Sequence, residues 1–222
     1  LSDTPTYFAA KTGTPTRIDG RHLRSERTRR LIADAYMALI RENVQPPTAV
    51  EIADRAGYSV RSIFERFPDL DALRIAAADF AIAEEKIQGP SDGEASPATR
   101  IESHVEARAS SCERWLPLWR VIATNAHESR QLQQRIKTIQ QLNVMRLETT
   151  FKPELSMLSD IERRQTLLAI EAITDFESWS RMIDFFGLSR SEACIVWKQA
   201  IERLLPAAAS PPEFLDALGA EA

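Results

Sequence analysis

From Ser25 to Pro206 the apolar residues of this chain fall three and four places apart, a spacing that stacks them on one side of a helix, and no segment reads as a strand. The first such run is Ile32, Ala35, Tyr36 and Leu39. It stops near Asn43, a residue able to enter the left-handed region that ends many helices. Pro46-Pro47 interrupts, and Thr48 with Glu51 forms a capping box, each side chain placed to satisfy a free backbone amide of the other residue. A second helix therefore begins there and runs to Ala56. Gly57 permits a tight reversal, and Ser59 can cap a third, short helix. Ile63 and Phe67 point inward from it, which leaves Val60, Arg61, Ser62, Phe64 and Arg66 for its other faces. This is a helix-turn-helix pattern. Pro68-Asp69 closes it, and a fourth helix follows over Asp71 to Glu85.

Gln88 to Pro97 holds two glycines and two prolines and is the natural boundary of the small N-terminal unit. Beyond it the helical period continues. Ile101, Val105, Arg108 and Cys112 form a fifth helix, Trp115 to Ala126 a sixth, and Leu132, Ile136, Ile139 and Leu142 a seventh that Pro153 breaks. An eighth runs from Ile161 to Phe186 and ends at Gly187, and a ninth opens on a capping box of Ser189 with Glu192 and stops at Pro206. With only 7 Gly and 7% aromatic residues, the composition also speaks against an all-β fold. The expected fold class is all-α, about nine helices. A flexible basic arm (1–24) leads into a helix-turn-helix unit (25–80) and then a larger helical domain (81–222).

Net charge is −4, but it is unevenly spread. The first thirty residues carry Lys11, Arg17, Arg21, Arg24, Arg27, Arg29 and Arg30 against Asp3, Asp19 and Glu26, so one end is basic within an acidic whole. No apolar run approaches membrane-spanning length and no signal-peptide core precedes the first helix, so a soluble, cytoplasmic protein without a membrane partner is expected. Cys112 and Cys194 read as free thiols. Three histidines with none four residues from another leave no metal ligand set, and no cofactor is expected. An enzyme is not expected either. Cys112 and His104 stand about 12 Å apart along one helix axis. Glu171 with Asp175 suits a solvated or ion-paired face, and no glycine-rich loop cradles a phosphate.

The segment Arg29 to Leu73 resembles the DNA-binding region of the tetracycline-repressor (TetR) family of bacterial transcription regulators. The resemblance rests on Leu31-Ile32, Ala35 and Leu39, then Ile52-Ala53, Ala56-Gly57, Ser59, Ile63 and Phe67. It implies that Thr48, Ser59, Val60, Arg61, Ser62, Phe64 and Arg66 meet operator DNA, with Arg24 and Arg27 of the arm following the backbone or entering the minor groove. A short helix fits a major groove about 12 Å wide, and Arg61 on its first turn can reach guanine with two hydrogen bonds. This chain departs from the family where Tyr, His and Lys are common: it has Phe64, Arg66 and Leu70. Those changes leave an alternative, a helical ligand-binding or protein-interaction module of the same ancestry that has lost DNA binding.

By the same resemblance the larger domain takes up an unknown small-molecule effector and forms a homodimer on a pseudo-palindromic operator. His104 and Arg108 are expected as polar anchors of the effector pocket, with Trp119, Phe176 and Trp179 as its walls. The core is the competing reading for these aromatics, and Arg108 could instead pair with Glu171 or Asp175. The dimer interface is expected at Ile173, Trp179 and Met182 of the eighth helix and Ala193, Val196, Trp197, Ala200 and Leu204 of the ninth.

Overall fold

A computed structural model describes residues 20–43, 46–87 and 95–206, and among them there is no strand. The head consists of α1 (Gly20–Glu42), α2 (Ala49–Ala56) and α3 (Val60–Phe64), followed by α4 (Leu70–Ile87). The body is α5 (Pro97–Asn125), α6 (Arg130–Thr150), the short α7 (Lys152–Leu155), α8 (Asp160–Ile173), α9 (Phe176–Ser180) and α10 (Arg190–Leu204). A 3-10 turn spans Ala126–Glu128, and a π turn, Arg181–Phe185, continues α9. α5 is the axis of the body, with α1, α4, α6, α9 and α10 all packed on it.

Several boundaries differ from the sequence expectation. α1 begins at Gly20 and so takes Arg24 into the helix; residues 1–19 of the expected arm lie outside the described residues. Asn43 does not turn left-handed: its amide closes a last bond to the Leu39 carbonyl at 3.0 Å, and among the described residues only Gly57 and Gly187 have positive φ. The expected fifth and sixth helices are one. α5 runs straight through Pro117, because burial of residues such as Val105, Cys112, Trp115 and Ile122 on one helix outweighs a single lost backbone bond.

The expected long helix from Ile161 to Phe186 is interrupted at Thr174-Asp175. Side chains satisfy the backbone groups that this break frees. Arg108 Nε donates to the Thr174 carbonyl at 2.8 Å, Ser178 Oγ donates to the Ile173 carbonyl at 2.6 Å, and Asp175 accepts from the Ser178 amide at 2.7 Å as the N-cap of α9. Periodicity continued across the gap, so the sequence pattern alone did not separate the two helices. Both expected capping boxes form, and a third, Ser159 with Glu162, opens α8. The glycine- and proline-rich boundary stretch lies largely outside the described residues, though Pro97 is seen in the first turn of α5 behind the N-cap Ser96.

Head and body share one continuous hydrophobic cluster, running from Ile32, Tyr36, Ile52 and Ile63 through Ala77 to Trp115 and Trp197. Ion pairs reinforce the seam. Glu84 of α4 accepts from both Arg30 of α1 and Arg114 of α5, and Asp79 of α4 takes a two-pronged contact from Arg135 of α6 at 2.9 Å on each oxygen. Deeper, Arg100 at the start of α5 pairs with Glu154 of α7, both side chains almost wholly buried. Removing one partner of such a pair leaves a stranded charge. Glu154→Ala is therefore expected to cost about 3–5 kcal/mol of unfolding free energy in a urea titration, and Arg100→Met with Glu154→Leu to recover most of it. A small loss in Glu154→Ala would show that the pair does not anchor α7.

Candidate functional site

The surface of the head that faces away from the body is built by α2, its turn and α3. Gly57, at φ 72°, lets α2 end in a reversal, with its own amide bonded to the Asp54 carbonyl and that of Tyr58 to the Ala53 carbonyl. Ser59 then caps α3 by accepting from the Ser62 amide at 3.1 Å. Ile63 and Phe67 are buried and fix the inward face of the segment. Arg61 is left with 88% of its side chain exposed, tied only along the helix to Glu65 at 3.0 Å. Phe64 is exposed beside it and Val60 and Ser62 are half-buried; Thr48 stands exposed at the capped start of α2.

The basic start of α1 lies against the same region. Thr28 and Tyr58 approach through their hydroxyls at 3.5 Å, Arg29 donates to the Arg66 carbonyl, and its guanidinium sits 4.4 Å from the centre of the Phe67 ring. Arg24 and Arg27, on the preceding turn, are exposed. Arg66 is folded back: it is half-buried and donates to the Ser62 carbonyl at 3.1 Å, so its guanidinium braces α3 in this conformation. Leu70, at one of the departures from the family pattern, packs half-buried against the core.

Inside the body, a slot separates α4, α5 and α6. Its cavity volume is about 40 Å³, so the slot is tight. α4 contributes the small side chains Ala78 and Ala81 together with Ile82; α5 contributes Trp115, Leu118, Trp119 and Ile122; α6 contributes Ile139 and Leu142. The polar lining is Arg108, Ser111, Asn143 and Arg146, and Phe176 also lines the slot. Trp119 and Phe176 stack with centroids 4.9 Å apart, Arg108 lies 4.8 Å from the Phe176 ring centre, and the Trp119 indole donates to Glu177 at 2.7 Å.

Of the five residues expected around a pocket, Arg108, Trp119 and Phe176 line this slot together, whereas His104 and Trp179 do not. His104 packs edge-on to Phe151 with its Nε2 enclosed and without a hydrogen-bond partner. Burial, and then the charges of Arg108 and Arg146, push its pKa down to about 3, so it is neutral near pH 7. Trp179 is buried against Trp197, centroids 4.9 Å apart. The lining residues that sequence reasoning missed, Asn143 and Arg146 of α6 and the alanines of α4, had no signal beyond ordinary helical spacing.

The expected dimer residues divide in a similar way. Trp179, Met182, Ala193 and Trp197 are buried within the chain itself, because α10 turns its 193, 197 and 201 positions onto α5 and α8. Ile173 and Ala200 are half-buried, and Val196 and Leu204 are exposed. Exposed apolar residues of α8 and α10 also include Ile161, Leu168 and Ile195. Among the described residues no group of three or more His, Cys, Asp or Glu is placed to hold a metal ion, and no helix is long and apolar enough to cross a membrane.

No family model and no curated protein sequence matches the chain. Solved structures do. A protein of Mesorhizobium loti MAFF303099 assigned to the TetR family of transcriptional regulators superposes with a TM-score of 0.62 at 17% identity, over 82% of this chain and 96% of that one. A protein of Pseudomonas aeruginosa PAO1 described as a transcriptional regulator does so with a TM-score of 0.57 at 16% identity, over 81% and 90%. The chain therefore has the all-α, helix-turn-helix fold seen in TetR-family transcriptional regulators.

Proposed function

We propose that this protein is a transcriptional repressor that binds a pseudo-palindromic operator as a homodimer and releases it when a small molecule enters the slot between α4, α5 and α6. The observation that carries the reading is the presentation of α3. Its inner face is held by Ile63 and Phe67, its first turn is capped by Ser59, Arg61 projects into solvent, and Arg24 and Arg27 are exposed on the turn of α1 that precedes the Thr28 and Arg29 contacts with Tyr58 and Arg66. A short capped helix bearing one exposed guanidinium, held only along the helix by Glu65, in a head that carries further basic side chains, suits base reading in a major groove with phosphate contacts on its flank.

The slot suits a switch because α4 is one of its walls and also carries the head. Ala78, Ala81 and Ile82 face the slot, while Asp79 and Glu84 of the same helix hold it to α6, α1 and α5. A ligand thicker than the slot must part α4 from α5 and α6, and the head moves with α4. Such a ligand acts only through its tighter binding to the parted arrangement. A coupling of about 1–3 kcal/mol would weaken operator binding about 5- to 150-fold. For the dimer, Leu168 of α8 and Val196 and Leu204 of α10 are exposed apolar side chains, and a two-fold pairing through them would set two heads on successive major grooves, about 34 Å apart or somewhat more.

Gel-shift titrations on DNA upstream of the protein's own gene test this reading. Specific binding that weakens steeply with salt is expected; absence of binding would favour the module that has lost its DNA contacts. Arg61→Ala should cost about 1–3 kcal/mol and relax preference at one base position, whereas Arg24→Ala and Arg27→Ala should weaken all sequences alike and lower the salt slope by about one each. Full affinity and selectivity in Arg61→Ala would remove α3 as the reading helix. In sedimentation equilibrium the mass should be twice 25.0 kDa, falling to 25.0 kDa in Leu168→Glu with Val196→Glu. A wild-type mass of 25.0 kDa at micromolar concentration would end the dimer proposal.

A further inference from the structure

Exposed as it is, Arg61 has a fixed neighbour. Its Nε donates to Glu65 Oε1 at 3.0 Å, one turn further along the segment, and the Glu65 amide bonds the Arg61 carbonyl at 2.9 Å. The other oxygen of Glu65 lies 3.8 Å from the Arg66 guanidinium. Among residues 59–67 Glu65 is the one carboxylate, and 52% of its side chain is exposed. The fold gains little from it. Ile63 and Phe67 hold the segment from inside, an exposed ion pair contributes little to stability, and a negative group at the C-terminal end of a helix meets the unfavourable pole of its dipole. The order of the pair is the weaker one too, since a carboxylate four residues before a cation suits a helix better than one four residues after it. Towards the phosphates of DNA the same carboxylate is repelled.

Resting on the reading of α3 as the base-reading helix, we propose that Glu65 is a positioning residue for Arg61. It holds the guanidinium by Nε, leaves the two terminal nitrogens as a pair for a guanine, and raises selectivity while lowering affinity for DNA in general. A guanidinium carries five N–H donors in a planar fork. With the Nε–H taken by Glu65, the edge formed by Nη1 and Nη2 remains, and two parallel donors match guanine O6 and N7. A long side chain fixed before binding loses less freedom when it meets its base. On unmatched DNA the carboxylate acts the other way. It offsets the Arg61 charge that a phosphate would attract and adds its own repulsion, so contacts with the backbone alone are weakened.

The test uses the full chain and a duplex library of random sequence. Wild-type protein selects its site, and the guanine met by Arg61 is the one at which Arg61→Ala loses preference and 7-deazaguanine, which lacks N7, weakens binding. Affinity for that site and for a duplex of scrambled sequence is then measured over a salt series in wild type, Glu65→Gln and Glu65→Ala. Glu65→Gln keeps an oxygen that accepts from Nε and removes the charge. Preference for the guanine should persist, while scrambled DNA binds about two- to tenfold tighter with a salt slope steeper by up to about one. Glu65→Ala removes charge and acceptor together, so scrambled DNA should again bind tighter, and preference for the guanine should fall about three- to tenfold. Unchanged preference in Glu65→Ala, weaker binding to every sequence in either variant, or a switch of preferred base in Glu65→Gln, which would make Glu65 a reader of its own base pair, overturns the proposal. Failure of the underlying reading looks different: a wild-type chain that enriches no sequence from the library removes α3 as a reading helix and this inference with it.

Discussion

The coupling of head to body depends above all on α4, which packs on α1, α5 and α6 together, beside a direct contact of α1 with α5. Its small residues, Ala76, Ala77, Ala78 and Ala81, are buried, so neighbouring helices approach its backbone closely and one helix can belong to two packing groups. α1 of the head and α5 of the body meet it together at Glu84, and α6 meets it at Asp79. Larger side chains at these positions would hold the body at a distance and would fill the slot. The price of a helix lined with alanine is little apolar area per residue, and the contacts of Glu84 with Arg30 and Arg114, and of Asp79 with Arg135, add polar fixings where hydrophobic burial is thin. These pairs are partly exposed, so each contributes modestly and their value lies in fixing direction.

The break between α8 and α9 shows the same economy. Arg108 ends α8 by bonding the Thr174 carbonyl, lies over the Phe176 ring and lines the slot. One buried guanidinium thus links the end of a helix, an aromatic stack and the polar stretch of a cavity. A change at Arg108 therefore acts on all three together.

Two views of the tryptophans illustrate how a residue's type can be informative while its role is not. Trp119 and Trp179 are both buried aromatic residues at helical spacing, on α5 and α9. Trp119 stacks on Phe176 along the slot and spends its indole N–H on Glu177, whereas Trp179 packs into Trp197 and closes the body against α10. Nothing within either helix distinguishes them. The distinction comes from what the neighbouring helix presents across the interface.

The head was legible in the sequence because its determinants are local. Thr48 with Glu51, Gly57 at positive φ, Ser59 with Ser62, and Ile63 with Phe67 each act over three or four residues, and the structure forms each of them where the residues stand. The all-helical class followed from periodicity for the same reason. The body was legible only as a set of helices. That α5 continues through Pro117, that Thr174-Asp175 interrupts an unbroken apolar period, and that α10 buries Trp197 while exposing Val196 depend on partners tens of residues away. Local spacing sets whether a segment is a helix; which side of that helix is inside, and which cavities are left between helices, is decided by packing among side chains from distant parts of the chain. A slot between three helices has no spacing in the sequence, because its walls come from residues 78 to 176 and meet only in the tertiary structure.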